Sequence, residues 1–253
     1  MIAGRDASQI LRLWEHGVAR TQAVRALLLL SAAAPEEPAE QLVQLSVGHR
    51  NALLLSLRER LFGPTLDCLT RCPECDGSIH LTFAVADVRT AHPERCATFR
   101  VSVAAYDVHF RLPNTSDLIA LENGLGGGEG EGESQLVVAE RQLLKRCVLQ
   151  VTAPEGPVSA EDLPQSVTTA IARRMGEVDP QAELLLDIAC PSCGVRTHAP
   201  FDIAAYLWSE IEGWAKGMLR SIHTIAAAYG WGESDIVALH DTRRRAYLEL
   251  ILA

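Results

Sequence analysis

Two copies of one short motif, Cys72-Pro-Glu-Cys75 and Cys190-Pro-Ser-Cys193, lie 118 positions apart. Each offers two thiolates spaced to bite a single ion, and a Zn²⁺ ion in a structural role takes four such soft ligands tetrahedrally. If both pairs serve one ion, the chain must bring these distant segments together. The likeness extends beyond the cysteines: His80 and His198 each follow their knuckle by five residues, and Phe83 and Phe201 by eight. Two knuckle-plus-strand units related by a local pseudo-twofold axis make a zinc ribbon, here closed around a large insert running from Arg89 to about Asp179.

Competing uses of the cysteines fit less well. A disulfide needs an oxidising compartment, whereas the start Met1-Ile-Ala-Gly-Arg-Asp6 lacks a basic-then-apolar leader, so the expected location is cytoplasmic. A thioredoxin-like redox site needs one pair on a strand-then-helix turn, not two pairs. Four cysteines also fill the position a catalytic zinc leaves open for water. Cys72, Cys75, Cys190 and Cys193 are therefore the expected structural ligands. Cys68, Cys96 and Cys147 have no partners, and His80 and His198 are strand-face residues rather than ligands.

The chain reads as α+β. Apolar spacing predicts helices over 6–18, from Thr21 to Ser31 with Thr21 as cap, and over 49–61, closed by Gly63-Pro64. Alternation predicts a strand from Ser78 and a hairpin of 99–104 with 107–112 around Ala105-Tyr106. Helices are expected at 115–121, 134–148 and 158–175, and a strand at 182–189. Between Gly124 and Ser134, six glycines and three glutamates in eleven residues predict a mobile acidic loop without a cation to hold phosphate. Asp202 is positioned to cap a helix whose stripe runs from Ile203 to Tyr229 and ends at Gly230, about 40 Å at 1.5 Å per residue. Short helices over 233–239 and 242–252 finish the chain. The expected organisation is a helical unit over 1–64, a zinc-ribbon-like β unit over 65–203 with its insert at 89–179, and a C-terminal helical unit over 204–253, together forming one compact assembly.

Function classes narrow by exclusion. No stretch is apolar over the roughly 20 residues that cross a bilayer. With 23 Lys and Arg against 32 Asp and Glu, the net charge of −9 disfavours nucleic acid as a partner. No nucleophile elbow, phosphate loop, dinucleotide fingerprint or helical zinc-protease motif occurs, and His109 beside Asp107 is ordinary strand alternation. The expectation is a protein that is not an enzyme and takes no small-molecule substrate.

Aromatics concentrate late: Trp208, Trp214, Tyr229, Trp231 and Tyr247 fall in the final fifty residues. Trp214 and Tyr229 share the apolar stripe and are expected in the core. Trp208 lies about 100° round the helix from Leu207, and Trp231 follows the Gly230 stop. These two, with Arg243, Arg244 and Tyr247 of the last helix, are the expected partner-binding surface. Gly213 and Gly217 imply a close backbone approach.

Phe201-Asp-Ile-Ala-Ala-Tyr-Leu-Trp-Ser-Glu-Ile211, Ala228-Tyr-Gly-Trp-Gly-Glu-Ser-Asp-Ile236 and Arg243-Arg-Arg-Ala-Tyr-Leu248 resemble the baseplate hub assembly chaperone family of T-even-like phages, as found in prophages and contractile injection systems. Leu11-Arg-Leu-Trp-Glu15, Arg58-Glu-Arg-Leu-Phe-Gly63, both knuckles and Leu112-Pro113 extend the resemblance over most of the chain. The cysteine pairs are not general in that family, so zinc rests on the spacing above. The resemblance implies a bacterial cytoplasmic protein, one that can be built into the tail-like particle, that assembles or forms the baseplate with baseplate or tail hub proteins as partners. A zinc-ribbon nucleic-acid-binding regulator is the alternative, for which only Arg243 to Arg245 speak.

Overall fold

The computed structural model describes residues 4–90, 98–125, 135–153 and 156–252. Cys96 and most of the acidic glycine-rich stretch, residues 126–134, lie outside the described residues.

Helices α1 (Gly4–Gly17), α2 (Gln22–Ala33), α3 (Ala39–Leu42) and α4 (Val47–Phe62) come first. At α2, Thr21 occupies the cap position but its hydroxyl accepts no backbone N–H. The Ala23 N–H donates instead to Glu122 Oε1, 2.9 Å away on a later helix, so a tertiary contact replaces the local cap. α4 starts earlier than its apolar period suggests because Ser46 Oγ accepts from the His49 N–H.

The chain then forms the hairpin β1 (Thr65–Arg71) and β2 (Ser78–Ala84). From residue 98 onward come β3 (Thr98–Val103), β4 (Tyr106–Arg111), α5 (Thr115–Leu125), α6 (Gln135–Cys147), β5 (Val148–Ala153), β6 (Gly156–Pro157) and α7 (Gln165–Val178). A second hairpin, β7 (Leu184–Ala189) with β8 (Arg196–Phe201), leads into α8 (Ile203–Tyr229), α9 (Glu233–Val237) and α10 (Asp241–Leu252). The β3–β4 loop is Ala104-Ala105, one residue earlier than expected, with Ala104 held at φ 52°. α7 begins only at Gln165, since Pro164 biases Leu163 out of the helical region.

The main core lies where α2, α4 and α8 meet the feet of both hairpins: Leu30, Leu54, Leu66, Val85, Ile203, Leu207 and Ile211 are all buried there. Phe83 and Phe201, equivalent across the two knuckle units, meet edge-on with ring centroids 5.5 Å apart. A partly buried bidentate pair, Arg58 with Glu210 at 2.7 and 2.9 Å, locks α4 to α8, and Arg58 also donates to the Gly63 carbonyl that ends α4.

The insert has its own core, with Val108, Phe110, Val151, Val167 and Ile171 packing the sheet β3-β4-β5-β6 against α7. Gln181, fully buried, ties the segments flanking it together. Its Oε1 accepts from the Thr90 N–H, its Nε2 donates to the Val88 carbonyl, and its own carbonyl accepts from Asn51 on α4. The Gly48 N–H donates to Asp179 at 3.0 Å beside it. Both ends of the insert are thereby held against one helix.

Candidate metal centre

Each knuckle is the turn of a hairpin, not merely the prelude to a strand. β1 was not evident in the sequence, because Leu66, Cys68 and Leu69 are interleaved with charge. Adding 118 to the β1–β2 ladder from Leu66↔Phe83 onward reproduces the β7–β8 ladder: Leu66↔Phe83 becomes Leu184↔Phe201, and Arg71↔Ser78 becomes Ala189↔Arg196. The turns match too. The Cys72 N–H donates to the Gly77 carbonyl and the Cys190 N–H to the Val195 carbonyl, while Asp76 and Gly194 donate back to the two cysteine carbonyls. Asp76 and Gly194 hold the same left-handed position, φ 54° and 76°, one that Asp and Gly tolerate best.

The two turns interlock. Cys72 Sγ lies 3.6 Å from Cys193 Sγ, and Cys75 Sγ 3.6 Å from Cys190 Sγ. All four sulfurs lie within 4.8 Å of one another. A tetrahedron with metal–sulfur bonds of about 2.3 Å has sulfur–sulfur edges of about 3.8 Å, so these residues fit a tetrathiolate ion. Cys72 and Cys190 are buried on a platform of Ile79 and Ile188, whereas Cys75 and Cys193 face outward. Ser192 Oγ would lie 3.1 Å from a Cβ added at Gly77, which is how closely the second turn approaches the first.

Charge favours the same occupant. The Cys193 and Ser192 N–H groups aimed at Cys190 Sγ hold its pKa down to about 6 against the opposing effect of burial. At Cys75 the Gly77 N–H also acts to lower the pKa, but the thiols of Cys193, Cys190 and Cys72 outweigh it and push the value up to about 12. Four thiols packed this tightly cannot all ionise without a cation among them. His80 and His198 are exposed on β2 and β8 and are not in the cluster.

The C-terminal candidates divide. Trp208 is 5% exposed and belongs to the main core, which corrects its assignment to a partner surface. α8 packs against both α1 and α2, so its apolar arc is wide enough to take in Ala204, Leu207, Trp208 and Ile211 together. Arg25 lies over the Trp208 ring at 4.8 Å and donates to the carbonyls of Gly17 and Val18 at the end of α1. Gly17 is the true close approach: a Cβ there would fall 2.3 Å from Trp208 Cη2. At Gly213 an added Cβ meets nothing within 4 Å, and at Gly217 only an Arg220 nitrogen at 3.9 Å, so neither marks a backbone crossing.

Arg244 is likewise buried, donating to Asp241 Oδ1 and the Leu239 carbonyl, and is corrected from surface contact to internal brace. Arg243 is exposed, Tyr247 half-buried and Trp231 36% exposed. Tyr229, expected in the core, is 40% exposed because it ends α8 at the left-handed Gly230. It stacks on Trp231 at 5.2 Å, and Tyr247 meets both rings edge-on at 5.5 and 4.8 Å. Trp214 is half-buried against the core.

Among the described residues no helix is long and apolar enough to cross a membrane. A family model described as T4 bacteriophage base plate protein matches residues 22–208. That interval contains all four clustered cysteines and ends within α8, short of the Tyr229, Trp231 and Tyr247 cluster. No curated protein and no solved structure matches the chain.

Proposed function

The chain belongs to the T4 bacteriophage base plate protein family, and from that premise we propose that it is a non-enzymatic assembly factor or structural component of a contractile tail baseplate, stapled by one structural zinc ion. The observation that carries the reading is the family match across 22–208, the span that includes both knuckles. Zinc is supported by the four clustered thiols, whose closed donor set leaves no position for a reacting water. On this reading the ion acts on stability, joining two hairpins across the large insert.

Its partners are baseplate or tail hub proteins, held at the exposed end of α8 by Tyr229, Trp231 and Tyr247 with Arg243 beside them. Rigid aromatics that are already packed on one another lose little freedom on binding, which suits them as anchors. The site of action is the bacterial cytoplasm during assembly, with the chain carried into the tail-like particle. Recovery of the tagged chain from cells bearing the whole tail gene cluster tests this. Tail proteins are expected to accompany it, and Trp231→Ala should weaken that association by about 2 kcal/mol while leaving the melting temperature nearly unchanged. Recovery of nucleic acid in place of tail proteins would overturn the reading.

A further inference from the structure

The duplicated hairpins make a comparison possible within one molecule, because each strand edge has an equivalent 118 positions away. On β1, the Asp67 backbone points away from β2. Its N–H donates to Tyr206 Oη at 3.1 Å, and Tyr206 Oη donates back to the Asp67 carbonyl at 3.0 Å. α8 thus covers the free edge of β1, as an exposed strand edge requires.

The equivalent of Asp67 is Leu185 on β7. The Cys190 N–H donates to the Val195 carbonyl, which sets the alternation of the ladder so that Leu185 and Asp187 turn their N–H and C=O groups away from β8. Leu185 faces Pro200, which has no N–H to offer. Among the described residues no further strand pairs with β7 and no side chain does for Leu185 what Tyr206 does for Asp67. The edge opens instead on a groove of about 580 Å³, floored by Leu81, Phe83 and Leu186 between β2 and β7. Leu185 itself is 54% exposed.

The groove is acidic. Asp87, Glu183 and Asp187 line it with no Lys or Arg beside them among the described residues, and of the three only Asp187 has a cationic partner among those residues, Arg196. We infer that the free edge of β7 at Leu185 and Asp187 takes an extended segment of a partner chain as an added strand, one that alternates apolar residues with Lys or Arg. Outward backbone donors and acceptors supply the pairing, apolar side chains enter the groove, and cations meet Asp87 and Glu183. This surface is separate from the aromatic end of α8 and stands without it.

The test uses the full zinc-loaded chain, a synthetic peptide of alternating Lys and Val and a matching peptide of alternating Glu and Val. Amide hydrogen exchange of β7 is the readout. The Lys-Val peptide is expected to slow exchange at Leu185 and Asp187 by about tenfold or more, and the Glu-Val peptide to leave it unchanged. Leu185→Pro removes the outward N–H without touching the β7–β8 ladder and should abolish the protection with zinc content intact. Glu183→Lys should weaken it in a background where the edge is unaltered. Protection by neither peptide, equal protection by both, or protection that rises with protein concentration alone would overturn the inference, the last by identifying a second copy of this chain as the occupant.

Discussion

The contact between Gly17 and Trp208 is where the structure departs furthest from the partner surface expected of the sequence, and it can be tested by a double-mutant cycle. Trp208→Ala removes a ring that is 5% exposed, and large-to-small changes of this kind cost about 3–5 kcal/mol. Trp208 Nε1 is buried without a hydrogen-bond partner among the described residues, so removing it returns about 1 kcal/mol. The net loss is about 2–4 kcal/mol. At a urea slope of about 3 kcal/mol/M, the midpoint falls by about 1 M. Gly17→Ala in the native background drives a methyl to 2.3 Å from Trp208 Cη2 and should cost about 1–3 kcal/mol. In the Trp208→Ala background the space is open and the same change gains helix propensity, up to about 1 kcal/mol. The Gly17→Ala effect thus changes sign, with a coupling of about 2 kcal/mol. Additive effects, or a Trp208→Ala variant that keeps its urea midpoint while losing tail proteins, would refute the reasoning.

Arg58→Ala strands the Glu210 carboxylate and the Gly63 carbonyl in a largely buried setting and should lower stability by about 3 kcal/mol in urea unfolding, with no change in metal content. Asp117 is buried; desolvation alone would raise its pKa, but hydrogen bonds from Arg111, the Asn114 N–H and Arg146 outweigh it and hold the value below the ordinary carboxylate range. Its contribution to stability is therefore complete above the unfolded pKa of about 3.9 and is lost as pH falls through the depressed folded value, so Asp117→Asn should flatten the acid limb of the stability curve. Gly213→Ala, with open space around the new methyl, should stabilise α8 by about 0.5–1 kcal/mol in thermal unfolding; a loss would restore the close backbone approach that the sequence suggested.

The parts legible in the sequence were those with local causes. The knuckles, the strands after them, the Asp202 cap and the Gly230 stop each depend on residues a few positions apart, and each is where expected: Asp202 Oδ1 accepts from the Ala204 and Ala205 N–H groups, and Gly230 holds φ 68°. What escaped depends on distant neighbours. β1 and β5 carry no clean apolar alternation in sequence, since Leu69 of β1 stands on the exposed face and β5 is half exposed. The burial of Trp208 follows from α1 and α2 flanking α8 on two sides, which no single helical stripe reveals. Glu122 standing in for the Thr21 cap is likewise a contact across 99 residues. For the same reason Arg244, in a run of three arginines, was indistinguishable from its exposed neighbours until Asp241 was placed beside it.

The central claim is that two hairpins 118 residues apart close on one ion. X-ray absorption at the zinc edge of the purified chain, with its metal content measured on the same sample, tests this most directly. The expected result is one zinc per chain with four sulfur neighbours at about 2.3 Å, reduced to three by Cys193→Ser. Zinc well below one per folded chain, or a shell containing nitrogen or oxygen in the native protein, would contradict it.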